Sequence, residues 1–290
     1  FYAASGTKTI GFIIFTTITT FLGGIFLEKS AEKGKKRLVE REGLSADEKK
    51  MVKAQTKRNK RLICTCVLLA NFGVLAFLKY FNFAVLNLNL IMDILGVNSH
   101  FATRSLLLPL GISFYTFQSM SYIIDIYQGK YEAEKNPFRF SLFVSFFPQI
   151  LQGPIGRFDR LAHQFYEGHS FEIRNIQFGL QLILWGYFKK IVLADRAAIF
   201  VNRVFTDYNN YSGFYVVTAV VLYSVQLYAD FSGGIDVVRG ISEIFGIKLD
   251  QNFARPFFSQ SIGEFWRRWH ITLGTWMKDY IFYPFSLSKA

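Results

Sequence analysis

Long apolar stretches separated by short polar ones make up most of this chain, and their lengths are those of membrane-crossing helices. Thr9–Phe26 and Leu62–Tyr80 each approach the roughly 20 apolar residues that span a bilayer as an α-helix. Phe83–Leu95 is apolar but short and carries Asn87, Asn89 and Asp93, which suits a re-entrant or interfacial helix better than a crossing. Leu106–Tyr127 is long enough to span, with Pro109 and Gly111 near its start. Phe138–Leu151 is apolar and then breaks at Pro148, Gly153 and Pro154. Such breaks survive at membrane depth only where protein or a water-filled cavity satisfies the freed backbone groups. Ile176–Leu193 predicts a further span, ending in Lys189 and Lys190, whose stems can snorkel to an interface. Phe214–Tyr228 predicts another. Ser232 is placed to cap a second helix, Ile235–Phe245, with Gly246 as its terminator. No fixed-period repeat and no alternating pattern of a membrane barrel appears. The sequence therefore predicts an all-α polytopic membrane protein, organised as one transmembrane domain over residues 1–290.

Composition supports that solvent. Hydrophobic residues make up 51% and aromatic residues 18%, with 33 Phe, more than a water-soluble surface of this size tolerates. The formal net charge is +12, and over half of it lies in Glu28–Arg61, between the first two spans. This segment predicts a basic loop, cytoplasmic by the positive-inside rule, either solvated or resting on anionic headgroups. It lacks the aromatic interleaving of a nucleic-acid surface. Cys64 and Cys66 lie one residue apart inside an apolar span, a spacing for neither zinc nor an ordinary disulfide, and no His/Cys/Asp cluster has metal-ligand spacing. The first apolar segment has neither the basic start nor the cleavage site of a signal peptide. Because the chain opens on Phe1 and closes on Ala290 just after an apolar stretch, it is expected to be a fragment cut at both ends.

The chemistry concentrates near the end of the chain. Ile262–Tyr280 reads IGEFWRRWHITLGTWMKDY. On a continuous helix, Trp266, Trp269, Leu273, Trp276 and Met277 fall on one stripe, with His270 inside it and Arg267 and Arg268 pointing elsewhere. A histidine on such a face has two readings, a hydrogen-bonded structural residue or a base. The second has a physical basis, because moving an acyl group onto a hydroxyl needs a base near neutrality and imidazole titrates near 6.5. The other histidines, His100, His163 and His169, sit in polar connections. Two further constellations carry polar groups at membrane depth. Pro148–Pro154 sets Gln149 and Gln152 beside two prolines and a glycine, either an ordinary helix end or a rigid tip for hydrogen bonding. Tyr228–Gly234 places Asp230 at the end of a span, where an acid is by default a functional hypothesis and otherwise a cap for the next helix.

Four stretches in this order resemble the membrane-bound O-acyltransferase family, in its bacterial alginate O-acetyltransferase-like branch. They are PLGISFYTFQSMSYIIDIYQGK (Pro109–Lys130), FFPQILQGPIGR (Phe146–Arg157), QLYADFSGGIDVVRGISEIFGIKLDQNFARPF (Gln226–Phe257) and FWRRWHITLGTWMKDYIFYP (Phe265–Pro284). The resemblance implies a ring of tilted transmembrane helices with re-entrant and interfacial helices, and funnels from both faces meeting at the active site. It implies that His270 is the first of two important histidines. The second, principal one is expected beyond Ala290. Trp266 and Trp269 would wall a tunnel, while Gln149, Gln152 and Asp230 would line the funnels or orient the histidines. Arg267 and Arg268 would either meet the phosphates of a donor, since Arg forks suit phosphate, or anchor their helix at the interface.

The implied reaction moves an acyl group, most simply acetyl, from a cytoplasmic thioester to hydroxyls of an extracytoplasmic polysaccharide, across the inner (plasma) membrane. The donor would be acetyl-CoA or an acyl-carrier thioester, bound as substrate and not as a tight cofactor. The partners would be the lipid bilayer, that donor, and the polymer or a separate acyltransferase subunit, with no nucleic acid. D-Alanyl transfer to teichoic acid and O-acetylation of peptidoglycan fit the same residues. From another class, a secondary transporter fits the broken segments and the intramembrane acid.

Overall fold

The computed structural model describes residues 9–40, 45–97 and 99–287. The described residues are helical with one isolated β-bridge and no strand. They form two compact units that divide at Ser145/Phe146, with Arg157–Asp159 belonging to the first.

In the first unit, α1 (Ile10–Val39) and α2 (Ala46–Ile94) are both long and apolar enough to cross a membrane. The apolar residues of α1 divide into two faces. Ile14, Ile18, Leu22 and Phe26 are exposed at every fourth position, while Ile13, Gly23, Gly24 and Leu27 are buried. An apolar stripe left bare on one side of a helix is what a lipid solvent permits. Ser45 starts α2 through a reciprocal capping box: its hydroxyl accepts from the Glu48 N–H at 3.2 Å, and its own N–H donates to the Glu48 carboxylate at 2.9 Å. Two expectations are corrected here. The basic segment Glu28–Arg61 is not a loop, since α1 runs to Val39 and α2 starts at Ala46. Phe83–Leu95 is not a separate re-entrant element, because α2 passes through it without a break to Ile94.

Beyond α2 the chain turns back along the same helix in extended form. The Asn82 amide donates to the Arg104 carbonyl at 2.8 Å and accepts from the Arg104 N–H at 2.9 Å. Asn89 does the same for Phe101, at 2.9 Å each way. The registers agree: seven helical residues rise about 10.5 Å, and three extended residues cover about 10 Å. Gly111, in the left-handed region at φ 70°, then turns the chain into α3 (Ile112–Gln128). The predicted span from Leu106 is therefore helical only from Ile112. This 17-residue helix is buried along most of its length, including Tyr115, Met120, Tyr122 and Ile123. Tyr122 packs on Phe140 of α4 (Pro137–Ser145) and on Phe158, with ring centroids 4.7 and 4.8 Å apart.

The second unit begins with α5 (Phe147–Gln152), so the apolar stretch Phe138–Leu151 is two short helices and not one. After α6 (Phe158–Tyr166), which places His163 on a helix and not in a connection, come α7 (Ile173–Tyr187), a π-helical segment (Phe188–Ala194) and α8 (Asp195–Thr206). Next is α9 (Gly213–Ile244), the third helix long and apolar enough to cross a membrane. Ser232 lies buried inside α9 and caps nothing. Gly246, at φ 76°, ends the helix as predicted, its N–H donating to Glu243 at 2.8 Å. Helices α7 and α9 run antiparallel and touch backbone to backbone: Gly179 meets Gly240, and seven residues on, Gly186 meets Gly233. A Cβ at any of the four would come within 2.5–2.8 Å of the partner's carbonyl oxygen. Small residues at such crossings let helices approach in lipid, where the hydrophobic effect does not drive them together.

The π-helical segment changes the direction of Lys189. Sequence predicts that Lys189 and Lys190 both reach for an interface. The wider turn instead buries Lys189, whose ammonium donates to Asp236 at 2.7 Å and to Ser232 at 3.0 Å. Lys190 faces outward and pairs with Asp230 at 2.7 Å and Asp195 at 2.9 Å.

Candidate active site

The segment predicted as one helix over Ile262–Tyr280 is two. Helix α10 (Ile262–Arg268) ends where Trp269 becomes extended, and α11 (Ile271–Met277) begins after His270, which is left-handed at φ 46°, ψ 53°. The single stripe is thereby broken. Trp276 is buried, whereas Trp266 and Met277 are exposed on separate short helices. A π-helical turn (Lys278–Phe282) and α12 (Tyr283–Ser286) follow.

What breaks the helix is a second piece of chain. Asn252 to Ala254, just beyond α9, pairs with Arg268 to Ile271: the Ala254 N–H donates to the Arg268 carbonyl and the Ile271 N–H to the Asn252 carbonyl, both at 3.0 Å. Phe253 and Trp269 form the antiparallel bridge at the centre. Among the described residues, two non-glycine positions have positive φ, Arg255 at 50° and His270 at 46°, and they flank this bridge. Each left-handed residue costs about 1–3 kcal/mol and persists only where its surroundings over-determine it. They do so here. The fully buried Asn252 accepts through Oδ1 from both the Thr272 N–H (3.0 Å) and the Thr272 hydroxyl (2.6 Å). Thr272 Oγ1 in turn accepts from the Ile155 N–H at 3.1 Å. This network ties the start of α11 to the buried extended run Gly153–Gly156 and leaves His270 no freedom to rejoin either helix.

The imidazole stands edge-on to Phe231 of α9, with ring centroids 4.8 Å apart. Trp269 stacks on Phe265 (5.5 Å) and meets Phe253 (5.1 Å) and Tyr228 (6.1 Å). Phe231 thus stands against His270 beside the Trp269 cluster, and burial pushes the imidazole pKa down. Its Nδ1 is buried without a hydrogen-bond partner. Asn252 Nδ2 and Gln149 Oε1 are likewise buried and unpartnered. Native proteins pair nearly all such atoms; these three adjoin one network, while Thr20 Oγ1 and Asn71 Oδ1 have the same status in the first unit.

The predicted site residues take different places. His270 and Trp269 meet in the aromatic cluster. Gln149 is buried and donates to the Pro154 carbonyl, beside the Ile155 that Thr272 holds. Gln152 packs its amide onto Gly234 of α9, where any side chain would overlap it. Asp230 does not cap a helix and has no hydrogen bond to His270 among the described residues; it pairs with Lys190. Trp266 is exposed and touches Phe265. Arg268 is held by Glu264, whose carboxyl is kept below the usual range first by the Gln260 N–H and then by the arginines. Arg267 is exposed and has no ion pair among the described residues. Sequence reading missed Asn252, Thr272 and the Lys189–Ser232–Asp236 set. The β-branched Ile271–Thr272 pair beside the histidine is a weak sign of a helix break; nothing local marks Asn252. Among the described residues no group of His, Cys, Asp and Glu is arranged to hold a metal.

Residues 133–290 match the model of the family described as MBOAT, membrane-bound O-acyltransferase. Over 212 residues the chain is 40% identical to the probable alginate O-acetylase AlgI of Pseudomonas putida, covering 73% of this chain and 43% of that protein. It is 38% identical over 267 residues to the peptidoglycan O-acetyltransferase of Helicobacter pylori, covering 83% and 50%. It is 31% identical over 190 residues to the teichoic acid D-alanyltransferase of Bacillus subtilis, covering 64% and 48%. The chain spans about half the length of the curated relatives it matches. With apolar helices of crossing length and a family match over more than half its residues, this chain belongs to the membrane-bound O-acyltransferase family.

Proposed function

We propose that the whole protein is a multi-pass enzyme of the bacterial inner (plasma) membrane that carries acetyl groups from a cytoplasmic thioester to hydroxyls of an extracytoplasmic polysaccharide. The donor is acetyl-CoA or an acyl-carrier thioester, and the acceptor is the polymer itself or a partner subunit that serves it. The observation that carries this reading is the half-buried His270 with a free Nδ1, fixed in a left-handed junction beside an aromatic cluster. In the transfer, a hydroxyl oxygen bonds to the acyl carbon, the carbon–sulfur bond breaks and the thiolate leaves, while the hydroxyl proton passes to a base. His270 offers Nδ1 to the reacting oxygen, and the family resemblance assigns the principal base to a second histidine beyond residue 290. The low-dielectric aromatic surroundings strengthen that contact and exclude the water that would hydrolyse the thioester. Trp269 shapes the passage at His270.

The test is the ester-linked acetate and D-alanine released by mild base from envelope and secreted polymer, with and without the gene. Loss of acetate alone is expected. The acetate-bearing fraction then separates a secreted polymer from peptidoglycan, the acceptor named for the Helicobacter pylori relative. Loss of D-alanine alone transfers the protein to the teichoic-acid reaction, and no change in either removes the polysaccharide reading.

A further inference from the structure

We propose that the α1–α2 hairpin binds anionic phospholipid headgroups in a preformed cationic groove next to its apolar spans. The groove, about 720 Å³, lies between the two helices. Lys29, Lys33, Lys36 and Arg37 form its walls, and Phe26 and Leu62 belong to its apolar floor. All four cations are exposed, and none has an ion pair among the described residues. Of the nearby acids, Glu28 pairs with Lys135 at 3.8 Å, Glu48 closes the capping box with Ser45, and Glu40 stands at the end of α1, one turn beyond Lys36. Glu32 is the one carboxylate in the lining.

Helical spacing on α1 gathers this charge, and α2 adds Gln55, Thr56 and Asn59 to the facing wall. Gly34 of α1 lies directly against Thr56 of α2, so close that a Cβ at position 34 would overlap the threonine side chain. The contact holds two lysine-rich helices side by side against their mutual repulsion. Turning the hairpin offers no relief, since Lys35, Lys53, Lys57 and Lys60 line a second groove on the other flank. An external anion is what this arrangement lacks.

Its height in the membrane identifies the anion. Both helices are continuous from basic tip to apolar span, so Lys29 follows Phe26 by less than one turn and Arg61 immediately precedes Leu62. The headgroup layer on each side is about 5–7 Å deep, or about four residues of helix. Lys29, about 4.5 Å above Phe26 along the helix, therefore stands at phosphate level with the apolar floor beneath it, and Lys33, about 10 Å above Phe26, reaches down to that level with its side chain. A headgroup phosphate with its chains below satisfies both parts of the groove. An acidic soluble partner would meet the cations and leave the floor uncovered.

The test titrates the whole protein, purified in a neutral detergent, with phosphatidylglycerol or phosphatidylcholine and follows the midpoint of thermal unfolding, a readout that needs no acyl transfer. Phosphatidylglycerol is expected to raise the midpoint at lower concentration than phosphatidylcholine, and high salt to erase that preference. Each basic side chain near an anionic surface is worth about fivefold in binding. Lys29→Gln/Lys33→Gln/Lys36→Gln/Arg37→Gln is therefore expected to weaken the phosphatidylglycerol effect at least roughly tenfold, and Lys29→Arg/Lys33→Arg/Lys36→Arg to keep it. Equal response to the two lipids, or a preference that survives high salt in the unmutated protein, overturns the proposal even if the Gln variant does not fold. An unchanged lipid preference in the Gln variant, with loss of transfer only from a thioester on an acidic carrier protein, also overturns it and assigns the groove to that partner.

Discussion

Asparagine does similar work in two regions, with one difference. In the first unit, Asn82 and Asn89 each bind both the N–H and the carbonyl of one residue in the returning extended segment, so each amide is used at both ends. In the second unit, Asn252 also satisfies backbone, but only through Oδ1; its Nδ2 remains buried and free beside a histidine whose Nδ1 is free too. Polar groups committed at both ends hold a chain in place. In the proposed function, polar groups committed at one end beside His270 are what a substrate would meet, although Asn71 of the first unit is likewise committed only through Nδ2.

His270→Ala should break the contrast most sharply. Removing a group that contacts the reacting oxygen is expected to cut acyl transfer by about 100-fold or more, with membrane insertion and the far-ultraviolet spectrum unchanged. Normal ester content in cells expressing the variant at the usual level would make His270 a packing residue. Next in size is Asn252→Ala, which deprives the Thr272 N–H and hydroxyl of their acceptor. A loss of about 1–3 kcal/mol in stability and roughly a tenfold fall in transfer are expected, as His270 loses its support. Thr272→Val should do the same, leaving the Ile155 N–H unpaired, and Thr272→Ser should restore both quantities. Stability lost with the rate intact would separate Asn252 from the site.

Asn82→Leu with Asn89→Leu supplies the opposite arm. These amides lie at exposed positions, so denaturation should show a cost of only about 0.5–1.5 kcal/mol for each pair of bonds, and transfer by the folded protein should not change. A fall in specific activity would mean that the extended segment does more than fill the fold. The smallest effect is the pH dependence that His270 adds. Its folded pKa lies below the unfolded value near 6.5, so the unfolded chain binds the proton first. The contribution is complete above about 6.5 and is lost as pH falls through the lowered folded value. His270→Gln should flatten that part of the stability profile; an unaltered profile would show that the ring is not desolvated.

How much was legible depended on range. The apolar runs and the stop at Gly246 could be read because each is a local pattern. Local pattern alone misplaces other elements. Ser232 is a residue type that caps helices, but α9 runs through it without a break, with α7 packed against it at the glycine contacts. Lys189 and Lys190 are neighbours of the same type, yet the π-helical segment turns one into the protein and the other outward.

The sequence by itself determined the solvent and the class: hydrophobic runs of crossing length leave no stable alternative to helices in lipid, since every backbone group must be paired within its own segment. It also determined which residue types are available to the site. Only the tertiary structure decided where His270 points. A helical pattern from Ile262 to Tyr280 is locally sound, but the strand-like pairing of Asn252–Ala254 with Arg268–Ile271, the hydrogen bonds that Thr272 donates to Asn252 and the one it accepts from the Ile155 N–H outweigh it. Those partners lie 20 and 117 residues away in the chain, and a contact at such separation leaves no periodicity to read.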